Sequence, residues 1–198
     1  MTLRDRQKQR RRDSMLDAAR QLFIETGYGK TTMDAIADGA EVGVATVYTY
    51  FGNKETLFAE LARRDMSLLQ AEGAEALQNL PEDPIEAVIG LVTIYDKVHD
   101  FITFEVIRDF QIGSRTQGPL RDVGQWMEEW KVDQLEQALE HARGEGRLAS
   151  KLATRDAAEV INELSNRYFE RHTSPDSTRK AFQKMERWIA VLFDDWKT

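Results

Sequence analysis

His99, His141 and His172 are the side chains best suited to hold a metal or move a proton, and their spacing supports neither. They lie far apart, and none stands in an HxxxH or ExxH arrangement that would put two ligands on one helix face. The acidic pairs Glu128–Glu129 and Asp194–Asp195 are accounted for as solvated helix faces. Gly144 and Gly146 fit a helix stop, not a phosphate cradle, and no serine sits in a nucleophile turn. The chain has no cysteine, which excludes thiol catalysis, disulfides and thiolate metal sites. No enzyme is expected, and no metal or other cofactor.

The spacing that does support chemistry runs from Thr31 to Lys54, TTMDAIADGAEVGVATVYTYFGNK. Thr31 and Asp34 predict a capping-box start. Met33, Ile36, Ala37 and Ala40, three to four apart, supply a buried face. Gly39 to Gly43 breaks the helix, Val42 plugs the space between two helices, and Val47 and Phe51 form an i, i+4 pair on the second. Val44, Ala45, Thr46, Tyr48, Thr49 and Tyr50 then occupy the other faces of a very short helix. Small and hydroxylated residues suit a surface that enters a DNA groove. Ala and Thr approach thymine methyls, and Tyr and Thr hydroxyls donate to phosphates or bases.

TTMDAIA, a turn, and TVYTYFGNKETLF together resemble the DNA-binding domain of the tetracycline-repressor (TetR) family. The resemblance implies that Ile36, Ala37, Val42, Val47 and Phe51 are core. It implies that Thr32, Tyr48, Tyr50 and Lys54 contact phosphates or bases, and that Ala45 and Thr46 form the base-facing part of a recognition helix. Two positions depart from the pattern: the family usually has Gly at Glu41 and Ser at Gly43. A Cβ at Glu41 is expected to strain or reshape the turn. Gly43 can cap a helix but brings no hydroxyl to a phosphate.

The net charge of −7 hides an asymmetry. Residues 1–66 hold 11 Lys/Arg against 10 Asp/Glu, a net of +1; the remainder hold 16 against 24, a net of −8. Arg4, Arg6, Lys8, Arg10, Arg11 and Arg12 precede the motif, with Asp5 between them. Alone, such a run reads equally as a solvated tail. Beside a helix-turn-helix it predicts a basic arm in which Arg10, Arg11 and Arg12 touch phosphates or the minor groove.

The elements that must position these groups are all helical. A first helix is expected from Arg11 to Glu25, with Met15, Leu16, Ala19, Leu22 and Phe23 as its stripe and Gly27 as its stop. A fourth runs from Lys54 toward Leu80, and a fifth, apolar on two faces and therefore buried, from Ile85 to Val98. Others follow over Phe101–Ile112, Pro119–Arg143, Thr154–Arg171 and Ser177–Trp196. The fold class is all-α, about nine helices. Residues 1–53 form the arm and DNA-binding domain and 54–198 an effector-binding and dimerisation domain, with the helix from 54 linking them. The longest uncharged apolar run, Ala87 to Tyr95, is too short to span a bilayer, and no apolar signal core follows the basic start. A bacterial-type cytoplasmic, nucleoid-associated protein is expected.

Tyr95, His99, Phe101, Phe104, Glu105, Arg108, Trp126 and Trp130 mix aromatic and polar groups as a pocket between bundle helices does. The resemblance implies that such a pocket takes a small organic effector; ordinary core packing, with a hydrogen-bonded structural His99, is the plainer alternative. In the resembling family the last two helices form the dimer interface. Ile161, Leu164, Tyr168, Met185, Trp188, Ile189, Leu192 and Phe193 agree with that, and with intramolecular packing too. The reading that unites these features is a ligand-responsive transcriptional repressor, a homodimer on a palindromic operator released by its effector. The alternatives are an activator of the same fold, an architectural DNA-binding protein without effector, and a helical binder or enzyme whose motif no longer reads DNA.

Overall fold

The helical periodicity is realised as nine α-helices among the described residues: α1 (Leu3–Thr26), α2 (Met33–Gly39), α3 (Val44–Phe51), α4 (Lys54–Ala76), α5 (Pro84–Asp96), α6 (Phe104–Ser114), α7 (Pro119–Gly144), α8 (Thr154–Glu170) and α9 (Pro175–Asp194). The computed structural model describes residues 2–100, 102–149, 151, 153–170 and 175–194, with 100, 168–170, 175–182 and 194 described as backbone only. Single 3-10 turns follow α4 and α5. No helix is long and apolar enough to cross a membrane among the described residues.

The chain forms two compact units, Met1–Asp65 with Ile102–Gly124 and Met66–Phe101 with Gln125–Thr198. α4 divides between Asp65 and Met66, and α6 joins the N-terminal unit because Phe110 meets Phe58 edge-on at 6.1 Å. In that unit Met15, Ala19, Phe23, Ile36, Val47, Phe51, Leu57, Phe58 and Leu61 are buried. Phe23, Tyr28 and Phe58 form an aromatic triad with centroids 4.7–5.4 Å apart. Asp65 of α4 is fully buried and paired with Arg20 of α1 and Arg64. Burial pushes its carboxyl up, and the two arginines pull it back only in part.

α1 begins at Leu3, not at Arg11. Thr2 and Asp5 close a capping box in which the Asp5 N–H donates to Thr2 Oγ1 (3.2 Å) and the Thr2 N–H donates to Asp5 Oδ2 (2.9 Å). The basic run is thus helix and not an extended arm.

In the second unit Val88, Leu91, Val92, Leu135, Leu139, Leu148, Ile161, Met185, Ile189 and Phe193 form one core. Gln134 and Tyr95 bring polar groups into it with partners, as burial demands. Gly73 leaves room for Gln134, whose amide donates to the Gln70 carbonyl (2.8 Å) and accepts from the Tyr95 hydroxyl (3.0 Å). Between α7 and α8, Glu128 accepts from Lys131, Asn162 and Asn166.

Candidate nucleic-acid interface

The turn between α2 and α3 is a Schellman motif. The Val42 N–H donates to the Ala37 carbonyl (3.0 Å) and the Glu41 N–H to the Asp38 carbonyl (3.1 Å), which leaves Glu41 as the left-handed residue at φ 54°. It is the one non-glycine residue at positive φ among the described residues, at the position where the resemblance implied glycine. The strain is local, since the motif's hydrogen bonds are made.

α2 is capped by Thr32, one residue later than expected: its Oγ1 accepts from the Ala35 N–H at 3.1 Å. Thr31 is buried instead, donating its hydroxyl to the Gly27 carbonyl at 2.9 Å. Thr32 is exposed, and while its oxygen caps the helix its proton can still reach a phosphate. At α3, Gly43 provides no side-chain cap, and its own carbonyl accepts from the Thr46 N–H at 2.8 Å.

α3 buries Val47 and Phe51 and turns Val44, Ala45, Tyr48 and Thr49 outward. Val44 is 37% and Tyr48 49% exposed, large apolar surface for a helix of 8 residues. The Thr49 hydroxyl donates to the Ala45 carbonyl (2.7 Å), leaving its methyl and oxygen lone pairs outward. Thr46 and Tyr50 are half-buried and lie on the flanks of this face. The outward set offers methyls and a phenol, which suits thymine methyls and phosphate oxygens.

Two expected DNA contacts are employed otherwise. Lys54, at the start of α4, points its ammonium into the α1–α2 connection. It donates to the carbonyls of Tyr28 (2.8 Å), Thr31 (2.8 Å) and, at longer range, Gly29 (3.4 Å), and lies 4.5 Å from the Tyr28 ring centre. Burial depresses its pKa. The Lys54 side chain thus fastens the turn before α2. Arg12 pairs with Glu60 of α4 and stacks over the Phe51 ring at 5.1 Å. Arg10 and Arg11 remain exposed on α1. Sequence reasoning missed both internal roles. The signal it had was Arg12 and Lys54 each lying close to an apolar stripe, where a long cation packs its stem.

The expected effector residues are divided between the two units. Glu105 and Arg108 are exposed and Phe104 half-buried in the first unit, whereas Tyr95, His99, Trp126 and Trp130 lie in the second. Phe101 lies outside the described residues. Tyr95 meets Trp130 edge-on at 5.2 Å, with Trp126 6.1 Å further. Burial raises the Tyr95 hydroxyl strongly, and the buried Trp130 indole N–H meets no acceptor among the described residues. His99 lies 3.6 Å from the Asp96 carboxylate, as a structural histidine would.

The expected dimer surface also divides. Ile161, Met185, Ile189 and Phe193 are fully buried within the chain's own core and cannot face a partner. Leu164 and Leu192 are half-buried, and the Tyr168 side chain lies outside the described residues, as does Trp196. The apolar surface left outward is Trp188 (42% exposed), Val191 (67%) and, on α8, Val160 (45%). Val160 and Val191 went unnoticed because the 3–4 spacing marks a stripe without saying which edge of it the chain itself covers.

No group of three or more His, Asp or Glu positioned to hold a metal occurs among the described residues.

Residues 15–61 match the family model described as bacterial regulatory proteins, tetR family. Over 101 residues the chain is 32% identical to YhgD of Bacillus subtilis, an uncharacterized HTH-type transcriptional regulator, covering 50% of this chain and 52% of that one. The chain spans about half or less of the length of the first curated relatives it matches. Its fold is that of a TetR transcription regulator from Haloarcula marismortui (TM-score 0.76, 14% identity, covering 96% of this chain and 100% of that one). It is also that of the transcriptional regulator FadR from Bacillus subtilis in complex with stearoyl-CoA (TM-score 0.68, 18% identity, 87% and 96%).

Proposed function

Because the chain belongs to the tetR family of bacterial regulatory proteins, we propose that it is a cytoplasmic transcriptional regulator of the bacterial nucleoid, a repressor that binds a palindromic operator as a homodimer and leaves it when a small organic effector binds. The observation that carries the reading is the outward face of α3, with Val44, Ala45, Tyr48 and Thr49 held over a buried Val47 and Phe51. A helix of this length enters a major groove, where its side chains meet base edges while neighbouring groups hold phosphates. Thr32 and Arg11 serve the phosphates, with Thr46 and Tyr50 at the flanks. Two readers joined through Trp188, Val191 and Leu192 would meet half-sites about one helical turn (~34–36 Å) apart.

The complex of FadR with stearoyl-CoA supports an organic effector in a protein of this fold. In this chain the second unit offers Tyr95, Trp126 and Trp130, with the Trp130 N–H as an open donor. To swing the DNA-competent population from 99:1 to 1:99, an effector must favour the other state by about 5.5 kcal/mol. α4 and α7 each run through both units, so a shift of either helix carries that preference along the chain.

The test is a binding selection on genome fragments at moderate salt with the purified protein. A recovered palindrome whose binding is lost on Tyr48→Ala supports the regulator, and its neighbouring genes indicate the effector's chemistry. Binding that is salt-sensitive but blind to sequence would favour an architectural protein and defeat the operator reading.

A further inference from the structure

The basic run is helical from Leu3 and overhangs the rest of its unit: residues 2–11 are all exposed, and burial begins at Arg12. At about 100° per residue, Arg4, Lys8, Arg11 and Arg12 fall within one arc of about 100°. Arg6 and Arg10 fall on the far side, among Asp13 and Asp17. Arg12 identifies the first face, because its guanidinium lies on the Phe51 ring at the end of α3. One and two turns further out, Lys8 and Arg4 continue the same line. Asp5 borders it, with its carboxylate committed to the Thr2 N–H and hydroxyl.

We propose that this overhang is a preformed helical rail for DNA phosphates flanking the groove that α3 enters, with Arg4, Lys8 and Arg11 as its contacts. The proposal rests on the DNA-binding reading above and adds to it a surface of defined face and length. Residues 3–11 rise about 14 Å, the axial length of about four base pairs. The partner is identified by charge alone: phosphates spaced along a duplex meet cations spaced along a helix, without base readout. A helix held by its own capping box also avoids the ordering cost that a disordered arm must meet on binding.

The test measures how affinity for a mixed-sequence duplex of about 40 base pairs varies with salt, using the full chain. Arg4→Gln, Lys8→Gln and Arg11→Gln together should lower the slope of log K against log salt by about 2.7 per protomer, at about 0.9 per phosphate. Arg6→Gln with Arg10→Gln removes two charges from the other face and should lower it by much less than the roughly 1.8 that two phosphate contacts would account for. Gln7→Gly with Gln9→Gly keeps every charge but unwinds the overhang and should weaken binding several-fold. All these positions are exposed, so circular dichroism should report an intact core in each variant. A drop for the Arg6 and Arg10 variant that reaches two thirds of the triple variant's would show that net charge acts without a face and would overturn the rail. Undiminished binding by the glycine variant would overturn its preformed helix. Wild-type protein with no salt-dependent duplex binding would remove the DNA-binding reading itself, whereas a wild-type slope untouched by the triple change removes the rail alone.

Discussion

Replacing Glu41 by glycine should stabilise the protein. Glu41 sits at φ 54° between α2 and α3, held there by the two hydrogen bonds of the Schellman motif. A left-handed conformation costs an L-residue about 1–2 kcal/mol, and glycine removes that cost while losing about 0.5–1 kcal/mol more backbone entropy on folding. The difference is a gain of about 0.5–1 kcal/mol, a rise in Tm of about 1–4 °C for a chain of this size. The control is Glu41→Gln, which removes the charge at the carboxyl end of α2 but keeps the Cβ and therefore the strain. Urea denaturation of both variants, at unchanged m-value, separates the contributions. Glu41→Gly no more stable than Glu41→Gln would show that the turn carries no strain, and the reasoning from φ would be wrong.

Lys54→Met should cost about 2 kcal/mol of stability, since charge-assisted hydrogen bonds to the Tyr28 and Thr31 carbonyls are lost. Its salt slope on DNA should match wild type, and a slope lower by about one with stability intact would return Lys54 to a phosphate. Trp188→Glu with Val191→Glu should shift sedimentation from dimer to monomer with helicity intact, whereas Met185→Glu, fully buried, should unfold the second unit. An unchanged dimer in the first variant would remove the outer face of α9 from the interface. Stability should also depend on Glu128. Burial pushes its carboxyl up, but the Lys131 ammonium and the Asn162 and Asn166 amides outweigh that and hold it below its ordinary 4.5. A carboxyl lowered on folding contributes stability that is present above the unfolded pKa and lost as pH falls through the folded one. Glu128→Gln should therefore be less stable at neutral pH, with the gap closing below about pH 4, and a gap constant down to pH 3 would argue against the network.

Much of the fold was legible because helices announce themselves locally. Apolar residues at 3–4 spacing, Gly27 past the end of α1, Pro84 and Pro119 at the starts of α5 and α7, and the glycine-flanked break before α3 all act within a turn or two of themselves. The same holds for the outward residues of α3, whose faces follow once Val47 and Phe51 are known to be inside. The strain at Glu41 was legible too, as a side chain where the turn's backbone favours none.

What the tertiary structure decided was the use to which long or apolar side chains are put. Lys54 and Arg12 carry charge that DNA would accept, yet carbonyls and a ring from distant parts of the chain reach them first. Met185, Ile189 and Phe193 belong to a stripe wide enough for two neighbours, and the chain's own core takes their side of it, leaving Trp188 and Val191 outward. Periodicity specifies a direction around a helix axis, because it arises from the helix's own geometry. Which neighbour occupies that direction depends on contacts between residues far apart in sequence, and those exist only once the helices have packed.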